Sequence, residues 1–387
     1  MRLAALHLWD FRNFERQSLN LAPGVNLVTG PNGAGKTNVL EAIHLLGTSR
    51  SHRTARDREM VRWGRHGYVV RGELEGTAGR VTLEVRYALG EGKRLLVNGR
   101  ECAQASGLIG RLPVVLFSPD DLLLVKGGPH LRRRLLDRTL AQAGSRYLAA
   151  WQRYKRALFH RNALLRRGLP RGEAGSLLEA WDHQMAEAGA VLVRERSLAV
   201  SHMGAAAAGF YDMLACGEGA PGERLAISYQ PSVSLPAEAA RGEEVQAFLE
   251  ALARLRGEEV ARGVSLVGPH RDDLRIVLGG RSASAHASQG QQRSAVLALK
   301  LAQVGFLAEA TGKDPILLLD DVMSELDEGR RARLGEVVAR WRLQSMVTST
   351  ERAGTGLGQG PQDATFAVFA GRVEGGWYGD GDGEGRG

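Results

Sequence analysis

Residues 25–43, VNLVTGPNGAGKTNVLEAI, hold the side chains best suited to do chemistry. Residues 25–29 are apolar and β-branched, which predicts a short buried strand. Gly30, Pro31, Asn32, Gly33, Ala34, Gly35, Lys36 and Thr37 follow, and residues 38–46 carry apolar positions at helical spacing. A strand, a glycine-rich turn and a helix start are the context of a phosphate-binding loop. The glycines let backbone N–H groups close around phosphate oxygens, and the helix N-terminus adds its positive dipole end. Lys36 is then a point charge for the β- and γ-phosphates, and the Thr37 hydroxyl a ligand for Mg2+. The stretch predicts a nucleotide site.

Two later clusters can complete such a site. The apolar run 316–319 ends in Asp320-Asp321. In open α/β sheets the carboxyl ends of strands face the ligand, so Asp320 is the expected metal partner of Thr37. Asp321 could orient or deprotonate an attacking water. Ser288-Gln289-Gly290-Gln291-Gln292-Arg293 opens a predicted helix that runs to about residue 310. Alone, Ser-Gln-Gly reads as a helix cap. One helix ahead of Asp320, it matches the order of ABC-type ATPases, where a Ser-X-Gly contacts the γ-phosphate held by another subunit. Residues 324–327 suit the segment after the acid pair in that class.

The elements that must position these groups fall into three parts. Residues 3–9, 68–75, 81–88 and 93–97 predict strands, with Asn98-Gly99 as a hairpin turn and 114–117 joining the main sheet. From residue 118 the chain turns helical, with Arg132, Arg133 and Arg134 near the start of a helix over 129–141. Basic charge there opposes the helix dipole, so the triplet calls for an acidic or phosphate partner. Tyr147, Trp151, Tyr154, Leu158 and Leu165 follow a four-three spacing broken at Arg161, and Leu178, Trp181, Met185, Ala188 and Leu192 repeat it. The pair predicts an antiparallel helical hairpin about the turn at 168–175, its aromatics packing the seam rather than stacking bases. A strand over 225–230 and a helix over 237–256 follow. Beyond them, strands at 264–267 and 274–278 flank a polar turn. A helix over 328–340 and strands at 345–347 and 366–369 complete the pattern. The fold class is therefore α/β. A P-loop ATPase head of the ABC type is assembled from residues 1–117 and 264–378, with a mostly helical arm inserted over 118–263. Residues 379–387 read as a disordered tail.

Composition narrows the class further. The 387 residues carry a formal charge of +8 and only six lysines, so arginine supplies nearly all the positive charge. That suits phosphate contacts, and it equally follows from genomic base composition. The run of arginines from Arg50 to Arg65 is either a solvated face or a phosphate-tracking patch. Cys102 and Cys216 stand in no metal spacing and fit a reducing compartment. Asp10 and Arg12 interrupt any signal-peptide pattern, and no apolar run approaches membrane-spanning length. A cytoplasmic protein is expected.

Six ordered stretches resemble the RecF family of bacterial recombination mediators: LWDFRNF (8–14), GPNGAGKTNVLE (30–41), residues 117–121 with PHLRRRLLD (129–137), VGPHRDDL (267–274), SQGQQR (288–293) and LLLDDVMSELD (317–327). The resemblance spans nearly the whole chain. It implies ATP and Mg2+ bound by Gly30 to Thr37, with the metal also on Asp320 and catalysis by Lys36, Asp320 and Asp321. It further implies that Ser288, Gln289, Gly290 and Gln291 close over the ATP of an opposing subunit in an ATP-dependent homodimer. DNA at single-strand gaps, RecR, RecO and RecA are the implied partners. Arg53, Arg56, Arg133 and Arg134 are candidates for DNA contact. Asp321 stands where transporters carry a catalytic Glu, Thr348 to Thr350 where a switch His is usual, and Ser118-Pro119 where chromosome clamps carry a Gln. These departures imply a weak, slow, DNA-stimulated ATPase. A scaffold that binds ATP with negligible hydrolysis is the alternative. A transporter subunit fits less well, since the insertion is long and nothing couples to a membrane.

Overall fold

The structure is a computed structural model that describes residues 1–76, 79–168, 174–215, 223–236, 241–350 and 360–377. The expected tail at 379–387 and most of the turn at 168–175 lie outside these residues. The chain forms two compact units, residues 1–121, 213–217 and 303–387 in one, and 122–212 and 218–302 in the other. This division leaves residues 118–121 with the first unit and 264–302 with the second, whereas the sequence pattern sets its boundaries at 118 and 263.

The first unit holds two six-stranded sheets. One is antiparallel in the order β2-β1-β4-β5-β6-β7, with β1 Arg2–Phe11, β2 Phe14–Asn20, β4 Gly67–Gly76, β5 Gly79–Ala88, β6 Gly92–Val97 and β7 Arg100–Glu101. The other runs β15-β14-β3-β13-β12-β8, with β3 Val25–Thr29, β8 Val114–Phe117, β12 Ile316–Leu319, β13 Ser345–Ser349, β14 Ala364–Phe369 and β15 Arg372–Gly375. Its strands are parallel except β15. β8 and β12 are buried at every position, as expected where a parallel sheet is covered on both faces. Helix α1 (Lys36–Thr48) packs on β8 and β13 of this sheet and on β4 and β5 of the other. That explains why it is buried almost all round, Glu41 and His44 included. Val39, Leu40, Ile43, Leu45 and Leu46 are fully buried, each stabilising the core by roughly 1.5–3 kcal/mol. Helix α9 (Glu328–Trp341) is capped by Asp327, whose side chain accepts from the Arg330 amide.

In the second unit the helices are α2 (Leu123–Lys126), α3 (Pro129–Ala143), α4 (Ser145–Arg166), most of α5 (Ala174–Leu214), α6 (Arg241–Arg262) and α7 (Ala283–His286). A three-stranded antiparallel sheet, β9 (Leu225–Gln230), β10 (Asp273–Leu278) and β11 (Arg281–Ser282), accompanies them. Helices α4 and α5 are antiparallel neighbours: Tyr147 meets Arg196 at 3.0 Å, and Arg161 meets Asp182 at 2.6 Å. The break in the seam at Arg161 is a buried ion cluster. Arg161 is 0% exposed and pairs with Asp182 and Glu259, while its Nη1 donates to Ser265 Oγ.

Residues 264–267 are not a strand. Their amides bond to helical partners instead: Val264 N to Glu259 O, Ser265 N to Asn162 Oδ1 and Leu266 N to Glu259 Oε1. Three of the four donors are thereby taken from any ladder along that stretch. Helix α8 (Gln289–Thr311) is long and apolar enough to cross a membrane, contrary to expectation, but 67% of its apolar window is buried in protein.

Candidate functional site

The parallel sheet brings its chemistry to one edge. β13 lies between β3 and β12, with Ser349 level with Thr29 and Val347 level with Leu319. Gly30 and Asp320, which leave β3 and β12 at their carboxyl ends, and Thr348, near the end of β13, therefore lie side by side. Asp320 is fixed further by its amide, which donates to Phe117 O at 2.9 Å.

Pro31, Asn32 and Gly33 form the exposed crest of the loop. Two glycines are required by space as well as by backbone angle. Gly30 has φ 152°, and a Cβ there would lie 2.3 Å from Val368 O; Gly35 has φ 121°, and its Cβ would lie 2.7 Å from Asn13 Nδ2. The loop is held from outside by Asn13 Nδ2, which donates to Ala34 O at 2.7 Å, and by the Gly371 amide on the same carbonyl at 3.2 Å. Gly35 caps α1 without a side-chain hydrogen bond. The Lys36 and Thr37 amides thus remain available to an anion, while the Asn38 amide donates back to Gly35 O at 3.0 Å. Lys36 Nζ lies at the loop carbonyls, 2.7 Å from Gly30 O and 3.1 Å from Pro31 O. Burial lowers its pKa, while Asp321 and Asp320 act in the opposite sense.

The Thr37 and Thr348 hydroxyls both donate to Asp320 Oδ1, each at 2.9 Å. Thr348 Oγ1 also accepts from the Asp321 amide at 2.8 Å, so one hydroxyl ties the two acids together. Burial raises the Asp320 pKa, the two hydroxyls lower it, and the Asp321 charge raises it again; the net shift is upward. Asp321 itself adopts φ 53°, a left-handed conformation uncommon for a side-chain-bearing residue. A carboxylate made costly by burial, beside a threonine hydroxyl at a helix start, is an oxygen donor set that fits a hard divalent cation. Mg2+ takes one or two such protein oxygens and completes its shell with phosphate and water.

A second shell, unread in the sequence, braces α1. Glu41 is fully buried and accepts both arms of Arg12, at 2.8 and 2.6 Å, together with the Ser51 hydroxyl. Burial pushes its carboxyl up, but these donors outweigh it and hold the pKa below the usual range. Arg53 Nη1 donates to Asn38 Oδ1 at 2.9 Å, and Asn38 donates on to Asn13 Oδ1 at 2.8 Å. LWDFRNF and the arginine run are the signals for Arg12, Asn13 and Arg53, but neither predicts that they converge on α1. Arg56 is exposed and pairs loosely with Glu59 at 3.8 Å.

The remaining site residues belong to the second unit. Ser288 and Gln291 form a capping box: the Gln291 amide donates to Ser288 Oγ at 3.2 Å, and Gln291 Oε1 accepts from the Ser288 amide at 2.7 Å. Gln291 Nε2 is anchored on Glu223 at 2.8 Å, while Ser288 and Gln289 are exposed and Gly290 is half-buried. Of the arginine triplet, one member finds a carboxylate and one a backbone carbonyl. Arg132 is bidentate on Asp273 at 2.7 and 2.8 Å, and Arg133 donates to Asp272 O at 2.6 Å; Arg134 is exposed. Trp151 and Tyr147 both donate to Asp137.

Known proteins resemble this chain over nearly all of its length. Residues 2–361 match the RecF/RecN/SMC N terminal domain. A DNA replication and repair protein RecF from Symbiobacterium thermophilum is 44% identical over 96% of this chain and 98% of its own length. One from Roseiflexus castenholzii is 42% identical over 90% and 93%. A solved structure of the recombination mediator protein RecF-ATP in the RecFOR pathway superposes with a TM-score of 0.86 at 31% identity, covering 96% of this chain and 97% of that one. An Smc head at 14% identity and a TM-score of 0.55, over 97% of each chain, shares the fold alone. The chain belongs to the RecF family and has the fold of an ABC-type ATPase head.

Proposed function

We propose that this chain is an ATP-gated DNA clamp of recombinational repair, in which two copies close on DNA around two ATP molecules. The observation that carries the reading is the single cluster formed by the phosphate loop, Lys36, Thr37, Asp320 and Asp321 at one sheet edge. Relatives are named DNA replication and repair proteins, and one solved relative is described with ATP in the RecFOR pathway. These names support DNA as ligand and RecR and RecO as partners; RecA loading is the outcome proposed for that assembly.

The proposed roles follow from side-chain chemistry. Loop amides and the α1 N-terminus receive the phosphates, and Lys36 leaves its two carbonyls to add a positive charge. Thr37 and Asp320 hold Mg2+, which when bound neutralises the β- and γ-phosphate oxygens. Asp321 orients the attacking water; its reach is one methylene shorter than that of Glu, which favours slow turnover. Ser288 and the exposed start of α8 offer a hydroxyl and free amides to the γ-phosphate held by the other copy. The 264–302 segment therefore works with the ATPase head, and the rest of 118–263 as an arm.

Lys36→Ala is expected to lower ATP turnover about 10²- to 10³-fold and to abolish ATP-dependent dimerisation. Intact dimerisation in that variant would contradict the clamp. Asp321→Asn separates the clamp from the scaffold reading. The clamp expects trapped dimers with stalled turnover and impaired RecA loading, whereas a scaffold would keep full RecA-loading support.

A further inference from the structure

The outer face of the antiparallel sheet carries a second feature that the ATP site does not use. Trp9, Val69, Arg86 and Arg94 stand in register across β1, β4, β5 and β6, and Gly67, Ala88 and Gly92 form the next row on the same face. The small residues make a floor, Trp9 one wall, and two arginines the other. The result is an open cleft of about 310 Å³ that also borders Asp10 and Glu91. Arg86 pairs with Glu84, and Arg94 with Glu91 at 3.0 Å. Both arginines are more than half exposed, and the Arg94–Glu91 pair, open to solvent on both sides, is weak and can exchange for phosphate.

On the turn that meets Asp10, a border residue of the cleft, stands Trp63, 98% exposed. A large aromatic side chain is seldom left so open to water. Its turn is nevertheless firmly held. The Arg62 amide donates to Asp10 O at 2.8 Å, the Arg65 amide to Arg62 O at 3.0 Å, and the Arg12 amide to Met60 O at 2.8 Å. Arg62 and Arg65 both reach Asp10 Oδ1, at 3.6 and 3.3 Å. The ring is thus carried on a braced turn that meets the border of the cleft at Asp10. Residues 50–66 around it carry six arginines against two carboxylates, a surplus that suits a polyanion.

We infer that this cleft and Trp63 form a binding site for unpaired nucleotides of single-stranded DNA. One base lies on the Gly67-Ala88-Gly92 floor against Trp9, its phosphates on Arg86 and Arg94, and a neighbouring base stacks on Trp63. Stacking on an aromatic platform beside a basic surface holds single strands without regard to sequence and is lost in a closed duplex, whose bases are already stacked. The inference rests on the proposed binding of gapped DNA, for which it supplies the residues that detect the gap.

The test is fluorescence anisotropy of the full chain with ATP and Mg2+ on a labelled gapped duplex and a blunt duplex of equal length. Wild type should prefer the gapped DNA. Trp63→Ala should weaken gapped binding about tenfold and blunt binding by less than about twofold, and Trp63→Phe should retain the preference. Arg86→Ala/Arg94→Ala should weaken gapped binding more than blunt. A 2-aminopurine placed in the gap should be quenched by wild type and not by Trp63→Ala. Preference retained by Trp63→Ala, or equal weakening on both DNAs, overturns this inference alone. Wild type with no preference overturns it together with the proposed function. Unchanged DNA binding with lost association to a protein partner would reassign Trp63 to protein docking.

Discussion

Two pairs of adjacent aspartates, one in each compact unit, show opposite uses of the same residues. Asp272 and Asp273 stand at the start of β10, Asp273 as its first residue, and are met by guanidinium groups. Arg132 is bidentate on Asp273, and Arg196 lies 3.3 Å from Asp272. Asp272 also accepts from the Tyr229 hydroxyl and the Ser232 amide. Asp320 and Asp321 follow β12, and there the hydroxyls of Thr37 and Thr348 meet Asp320 while burial still raises its pKa. The first pair is neutralised by the fold itself. The second is left electrostatically incomplete, which is what a cation site requires. Sequence position does not distinguish them, since both are Asp-Asp beside an apolar strand; the partners do.

That contrast can be broken most severely at Arg196. It is 2% exposed and joins Asp137, Asp272, Tyr147 and the Pro269 carbonyl. Arg196→Ala strands two carboxylates in a buried setting and is expected to cost about 3–5 kcal/mol in urea denaturation. A loss below about 1 kcal/mol would show that the cluster is effectively solvated.

Acid should act on the two regions with opposite sign. His270 Nδ1 is 2.7 Å from the Tyr154 hydroxyl, and its Nε2 is 3.1 Å from Ser265 O. Burial pushes its pKa down to about 4, against the pull of Ser265. The unfolded chain therefore takes up the proton first, and stability falls as pH drops from about 6.5 towards 4. The loss reaches about 3 kcal/mol and should vanish in His270→Gln. Asp320 has a raised folded pKa, so without metal and nucleotide its protonation favours the folded state and its charge destabilises the site at neutral pH. Asp320→Asn should accordingly raise the urea midpoint slightly while abolishing Mg2+-dependent turnover. Asp273→Asn, which removes one arm of a bidentate pair, should lower that midpoint, at a cost of about 2 kcal/mol in stability. Shifts of the same sign in the two variants would erase the distinction.

The phosphate loop was the most legible part of the sequence, because its requirements are local. Strand 25–29 has the expected bounds, and glycine spacing fixes the turn that follows. Asp320 was legible for a similar reason, since an apolar run that ends in an acid marks a sheet edge. What escaped was non-local. Arg161 looks like a flaw in a helical seam until Asp182, Glu259 and Ser265 surround it. Residues 264–267 have a strand-like composition, yet side chains from α4 and α6 capture their amides. β2 buries only Phe14 and Leu19, so its polar sequence carried little strand signal. Asn13 and Arg12 brace the loop from a turn whose sequence gives no hint of the distance to be spanned.

The central claim is that ATP joins two copies of this chain through Gly30 to Thr37 of one and Ser288 to Gln291 of the other. Sedimentation velocity of the wild-type chain, with and without ATP and Mg2+, tests it most directly, repeated with gapped and with fully duplex DNA. The clamp expects a monomer that shifts to a dimer with ATP, further stabilised on gapped DNA. A sedimentation coefficient that ATP leaves unchanged on both DNAs would contradict it.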